Sequence, residues 1–138
     1  MQYLYKLGIF AIAFCCFASC NDRLEGDEIT NTDPAKIDSV KIAQDTMDIF
    51  TTQTIKTFSS YTAQCEGFFG YDYQHVSSTE RNVTAYKFKT TADCGNVVQR
   101  ASQINFRPQQ TGVFKFKFWN GKNTEGQSLW IEKTIVVQ

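Results

Sequence analysis

The stretch VFKFKFW, residues 113–119, alternates ring and charge residue by residue: Phe114, Phe116 and Phe118 fall on one face, Lys115 and Lys117 on the other. Successive side chains of a pleated chain point to opposite faces, so a period of two predicts a strand with one buried and one wet side. Asn120-Gly121 then opens a polar connection that runs to Gly126, and LWIEKTIVV, residues 129–137, ends in β-branched residues that suit a pleated surface. The two runs read as a hairpin with a longer loop. Upstream, the same mixture of Thr, Tyr, Phe and Ile recurs in SVKIA (39–43), IFTTQTIKTFSSYTA (49–63), FFGYDYQ (68–74), NVTAYKFKT (82–90) and VVQRASQINFR (97–107), where Pro108 is placed to end a strand. Helical periodicity is hard to find after residue 36. About seven short strands with turn signals between them predict an all-β, antiparallel sandwich over residues 37–138.

The N-terminus predicts an address. After a start carrying one positive charge at Lys6, the chain is apolar from Leu7 to Ala18, too short for the roughly 20 residues that span a bilayer. A charged start, a short apolar run and small residues before a cut site describe a secretory signal. Phe17-Ala18-Ser19-Cys20 resembles the lipobox of bacterial lipoproteins, with Phe17 where that family usually has Leu. The resemblance implies removal of residues 1–19, discarding Cys15 and Cys16, and lipidation of Cys20, whose acyl chains would hold the protein on a membrane. Residues 21–36, NDRLEGDEITNTDPAK, are polar and acidic and bury too little to offset ordering entropy, so residues 20–36 read as a lipidated cysteine and flexible tether. Asp22, Glu25, Asp27 and Glu28 resemble, in scattered form, the surface-export signals of Bacteroidota lipoproteins. The expected location is the outer membrane, at the cell surface or its periplasmic face.

Loss of Lys6 from a chain with 14 basic and 14 acidic residues leaves a net charge near minus one, which gives no electrostatic footprint for nucleic acid. Two cysteines remain, Cys65 and Cys94, in a compartment that permits disulfides, and their pairing is expected. The segment TGVFKFKFWNGKNTEGQSLWIEKTIVVQ resembles the last two strands of bacterial immunoglobulin-like domains. With the lipobox and the cysteine pair, the chain is similar to small lipoproteins of the Bacteroidota built on such a sandwich. The cysteines depart from the immunoglobulin pattern, in which the bridge joins the sheets and packs on a core Trp. The family offers no catalytic residues to carry over.

Chemistry is sparse in the sequence. His75 is the single histidine, and neither H-E-x-x-H nor G-x-S-x-G occurs. Glu66 and Asp72, set among aromatics, or Asp93 and Glu132, are the carboxylates a small hydrolase would have to bring together. Asn120, Asn123 and Glu125 offer oxygens in a loop without the acidic density of a calcium site, and no metal or cofactor is implied. Asp38-Ser39-Val40 and Asp45-Thr46-Met47 resemble O-glycosylation sites of Bacteroidota envelope proteins, with Ser39 and Thr46 as acceptors. By strand alternation Phe69, Tyr71 and Tyr73 share one face. Turned inward, they are core; turned outward, with Trp119 opposite the Phe114 face, they make an aromatic surface for a sugar or a protein. The expected function is a lipid-anchored, non-catalytic binding or assembly module of the cell envelope. Its rivals are a glycan-binding surface lipoprotein and a small carboxylate-based hydrolase.

Overall fold

The computed structural model describes residues 26–138. The expected signal peptide, residues 1–19, and the expected lipidation site Cys20 lie outside the described residues. Nine strands follow one another without a helix among them: β1 (Ile29–Ala35), β2 (Ser39–Ile42), β3 (Thr46–Met47), β4 (Gln53–Thr62), β5 (Glu66–His75), β6 (Glu80–Thr90), β7 (Val97–Phe106), β8 (Gly112–Lys122) and β9 (Ser128–Val137). They form two sheets that face each other, β2-β4-β7 and a larger one ordered β1-β6-β8-β9-β3 with β5 on the free edge of β6. All pairings are antiparallel except β6 with β8 and β3 with β9.

Two expectations are corrected. The strands number nine rather than about seven, because β1 and the two-residue β3 are added to those read from alternation. The polar segment expected to be a tether through residue 36 is strand from Ile29 onward, paired with β6 from Ile29↔Thr90 to Ala35↔Ala85. Its apolar content is as low as read, since only Ala35 of the strand is buried. Main-chain hydrogen bonds to an existing edge order it instead, an energy that composition does not display. Pro34 is tolerated in a strand whose one partner among the described residues is β6.

One edge of β6 is shared end to end. Glu80 to Val83 pair with Lys115 to Phe118 of β8, and Ala85 to Thr90 pair with β1. Where the two partners meet, the chain leaves β1 for the other sheet, and Ile37 N donates to the Trp119 carbonyl at 3.0 Å while Asn120 Nδ2 donates to the Ile37 carbonyl at 2.7 Å. Ile37, fully buried, plugs the space between the sheets there.

The core is built as the alternation dictates. Phe114, Phe116 and Phe118 are buried and Lys115 is exposed. Phe106 from the smaller sheet meets Phe114 and Phe116 edge-on, centroids 5.1 and 5.0 Å apart, the geometry aromatic quadrupoles prefer. Ile55 and Tyr61 of β4, Val83 and Ala85 of β6, and Ile135 and Val137 of β9 complete it. Burying each large apolar side chain contributes about 1.5–3 kcal/mol.

Cys65 and Cys94 are bonded, with a separation of 29 residues. Cys65 ends the β4–β5 crossover and Cys94 lies in the β6–β7 crossover, so the bridge ties together two passages between the sheets at one end of the molecule. Backbone bonds from Gly95 N to Ala63 O and from Ala63 N to Asn96 O, both 2.8 Å, knit the same two loops.

Candidate functional site

The aromatic strand β5 does not alternate throughout. Phe68 stands opposite Lys87 and Gly70 opposite Tyr86, which leaves Phe69 as an extra residue in a β-bulge. The bulge corrects the face assignment: Phe68, Tyr71 and Tyr73 turn inward against the core, and Phe69, 58% exposed, turns out. Tyr71 and Thr57 share a 2.6 Å hydroxyl hydrogen bond across the two sheets, and the Phe68 ring lies 4.7 Å from that of Tyr71. Burial pushes the phenols of Tyr71 and Tyr73 above their ordinary pKa. An exposed row of Phe69, Tyr71 and Tyr73 is therefore not formed.

The open aromatic surface lies elsewhere, on the outer face of the larger sheet. Trp119 stands directly opposite Trp130 in the β8–β9 ladder, both on the side away from the buried Phe118. Trp130 is 38% exposed, and the half-buried Trp119 donates its indole N–H to Ser128 Oγ at 3.3 Å. Beside this pair the register sets a polar row across four strands: Gln74, Asn82, Lys117 and Glu132. Lys117 Nζ is 2.8 Å from a Glu80 oxygen, and Gln74 Nε2 donates to Asp72 Oδ2 at 2.7 Å. Two flat rings edged by amides and charges, on a sheet whose other face is packed, form a preorganised platform.

Among the remaining candidates, Asp72 and Glu132 are not brought together. Glu66 is held by Lys87 Nζ at 2.7 Å and by the Thr62 backbone N–H at 2.9 Å, and these donors keep its carboxyl below the usual range. Asp72 and Glu132 occupy the outer face but are separated by β6 and β8, about 14 Å at the usual strand spacing, wider than the 5–9.5 Å of paired glycosidase carboxylates. Asp93 sits in the β6–β7 crossover. Asn123 uses its Oδ1 to accept the N–H groups of Glu125 and Gln127, organising the hairpin turn, and among the described residues no His, Cys, Asp and Glu cluster with metal-ligating geometry exists. Ser39 and Thr46 are both exposed, on β2 and β3.

Sequence reading missed a second feature. The side of the sandwich between β5 and β7, each the edge of its sheet, holds a cleft of ≈ 690 Å³ lined by Tyr73, His75, Arg81, Arg107, Phe114 and neighbouring amide side chains. Its residues come from four strand ends far apart in the chain, so no local pattern marks them. Arg81 is only 7% exposed. Its Nη atoms donate to the carbonyls of Ser77, Glu80 and Ser78 at 2.7, 2.9 and 3.0 Å, its Nε has no partner, and the guanidinium stands 5.5 Å from the centre of the Phe114 ring. The exposed His75 meets Tyr73 edge-on at 5.4 Å.

Compared with protein-family models, with curated proteins and with solved structures, the chain matches none.

Proposed function

We propose that this chain is a lipid-anchored cell-envelope protein that works as a non-catalytic binding module, presenting Trp119 and Trp130 to a glycan. The carrying observation is the cross-strand tryptophan pair on an open sheet face, bordered by Gln74, Asn82, Lys117 and Glu132. Rigid aromatic faces stack on the apolar face of a sugar ring with little entropy to lose, and amide and charged neighbours serve its hydroxyls. The anchor rests on Phe17-Ala18-Ser19-Cys20 behind the apolar run Leu7–Ala18. The immunoglobulin-like reading of the sandwich is supported by its two facing sheets and by the terminal β8–β9 hairpin. The parallel β6–β8 pair and a disulfide at one end of the molecule depart from that family's pattern.

Affinity electrophoresis through gels containing soluble neutral polysaccharides tests the reading. Trp119→Ala/Trp130→Ala should weaken retardation by about tenfold or more while leaving the melting temperature within a few degrees, since both rings lie outside the core. Undiminished retardation of the double variant would sink it. A protein partner is the second reading, favoured by Val113 and Val136, which face each other on the same surface and are 52% and 40% exposed. Recovery of a stoichiometric partner from gently solubilised envelope, lost in Val113→Asp, would make that contact the primary one.

A further inference from the structure

The cleft between the free edges of β5 and β7 opens on a different side from the tryptophan face and carries a charge of one sign. Arg81 and Arg107 line it, together with His75, and no Asp or Glu does, although the whole chain has as many acidic as basic residues. Arg81 is buried, and among the described residues no carboxylate pairs with it. Carbonyl oxygens solvate its guanidinium without neutralising it, and a buried cation left in that state projects a positive potential into the low-dielectric space around it. Nε of the same side chain has no hydrogen-bond partner. An unpaired buried donor is destabilising unless something else satisfies it.

Arg107 lines the cleft from an exposed position. Among the described residues its side chain makes one hydrogen bond, from Nε to the Phe50 carbonyl at 3.0 Å, and the two terminal nitrogens remain uncommitted. Phe50 has a φ of 63°, a conformation that bulky side chains rarely adopt, and its own N–H donates to the Pro108 carbonyl at 3.0 Å. This turn fastens the Arg107–Pro108 segment through two hydrogen bonds. Strain of this kind persists where surrounding contacts enforce it and is concentrated at ligand sites.

We propose that the cleft binds a carboxylate carried on a ring-sized body. The carboxylate meets the terminal nitrogens of Arg107 within the field of Arg81, and the ring lies against Tyr73. The volume of ≈ 690 Å³ suits such a ligand. A guanidinium fork reads a carboxylate with two parallel hydrogen bonds, which gives orientation as well as attraction. The carboxylate could be borne by an acidic sugar or by an aromatic acid, and the two share the chemistry that the cleft recognises. This assignment does not rest on the glycan reading of the outer face.

The experiment titrates the full chain, held in detergent micelles, with D-glucuronate and with benzoate, each beside a neutral counterpart, D-glucose and benzyl alcohol. Side-chain signals of Tyr73 and His75 report occupancy by nuclear magnetic resonance. Each acid that binds should do so about tenfold more tightly than its neutral counterpart, and Arg107→Gln should abolish that preference without shifting the melting temperature. Arg107 is the residue to change because Arg81 also fastens the 77–80 turn. Tighter glucuronate assigns a sugar acid and tighter benzoate an aromatic one. Equal binding of acid and neutral forms, an undiminished preference in Arg107→Gln, or no response to either acid at tens of millimolar would overturn the proposal.

Discussion

At Glu66 two donors, the Lys87 ammonium and the Thr62 N–H, converge on one half-hidden carboxylate. Its folded-state pKa is lowered from the ordinary 4.5, chiefly by the bond to Lys87. The stabilisation is therefore present above that value and is lost as pH falls through the depressed folded one. Glu66→Gln should cost about 1–2 kcal/mol near neutrality, and the gap from the parent should close on acidification below about pH 4. Urea unfolding across a pH series measures it, and a gap independent of pH would show that packing, not charge, is what the substitution removes. The next residue has a different constraint: a Cβ on Gly67 would come within 2.6 Å of Phe88 Cζ, so the glycine exists to let that ring lie over the strand.

Between single residues and the sheet, the β5 bulge separates what was legible from what was not. The β8–β9 hairpin could be read from VFKFKFW and the Gly-bearing loop, because one face of β8 is core along its whole length. In β5 the same rule fails at one place, since alternation is conserved only while every residue has a partner, and Phe69 has none. Gly70 was the available signal, as a glycine inside a strand pattern often marks a bulge. Deleting one residue from a strand ordinarily turns every later side chain over. Deletion of Phe69 should instead heal the bulge and leave Tyr71 and Tyr73 inward, with a loss of stability under about 1 kcal/mol, whereas deletion of Asp72 should prevent normal folding. Thermal unfolding of the two deletions decides between these outcomes. Strand β1 escaped the sequence reading for a simpler reason: ITNTDPA buries one side chain and is held by its backbone.

For the molecule as a whole, the all-β class and the cysteine pair were visible in the chain, whereas the cleft was not. Alternation reports which face of one strand is buried but says nothing of which strand ends meet across two sheets. Tyr73, Arg81 and Phe114 are gathered by the β5–β6 and β6–β8 pairings, and Arg107 joins them from the other sheet, where β7 is an edge as β5 is in its own. The disulfide acts at this scale too. It restrains both crossovers at one end, and replacing Cys65 and Cys94 by Ala should lower stability by about 3–4 kcal/mol, as expected for a closed loop of about 30 residues. Chemical denaturation measures it, and a loss below about 1 kcal/mol would mean that the unfolded chain is hardly restrained by the bridge. The two ends of the sandwich also have different neighbours. Residues 26–28 enter beside the disulfide, where the Glu28 carbonyl accepts the Thr91 N–H, while Arg81 and the cleft lie at the far end of β6, about 30 Å away along the strand. Held from its N-terminal side, the domain would stand like a post, with the bridged crossovers at the foot and the cleft at the tip facing away from whatever holds it.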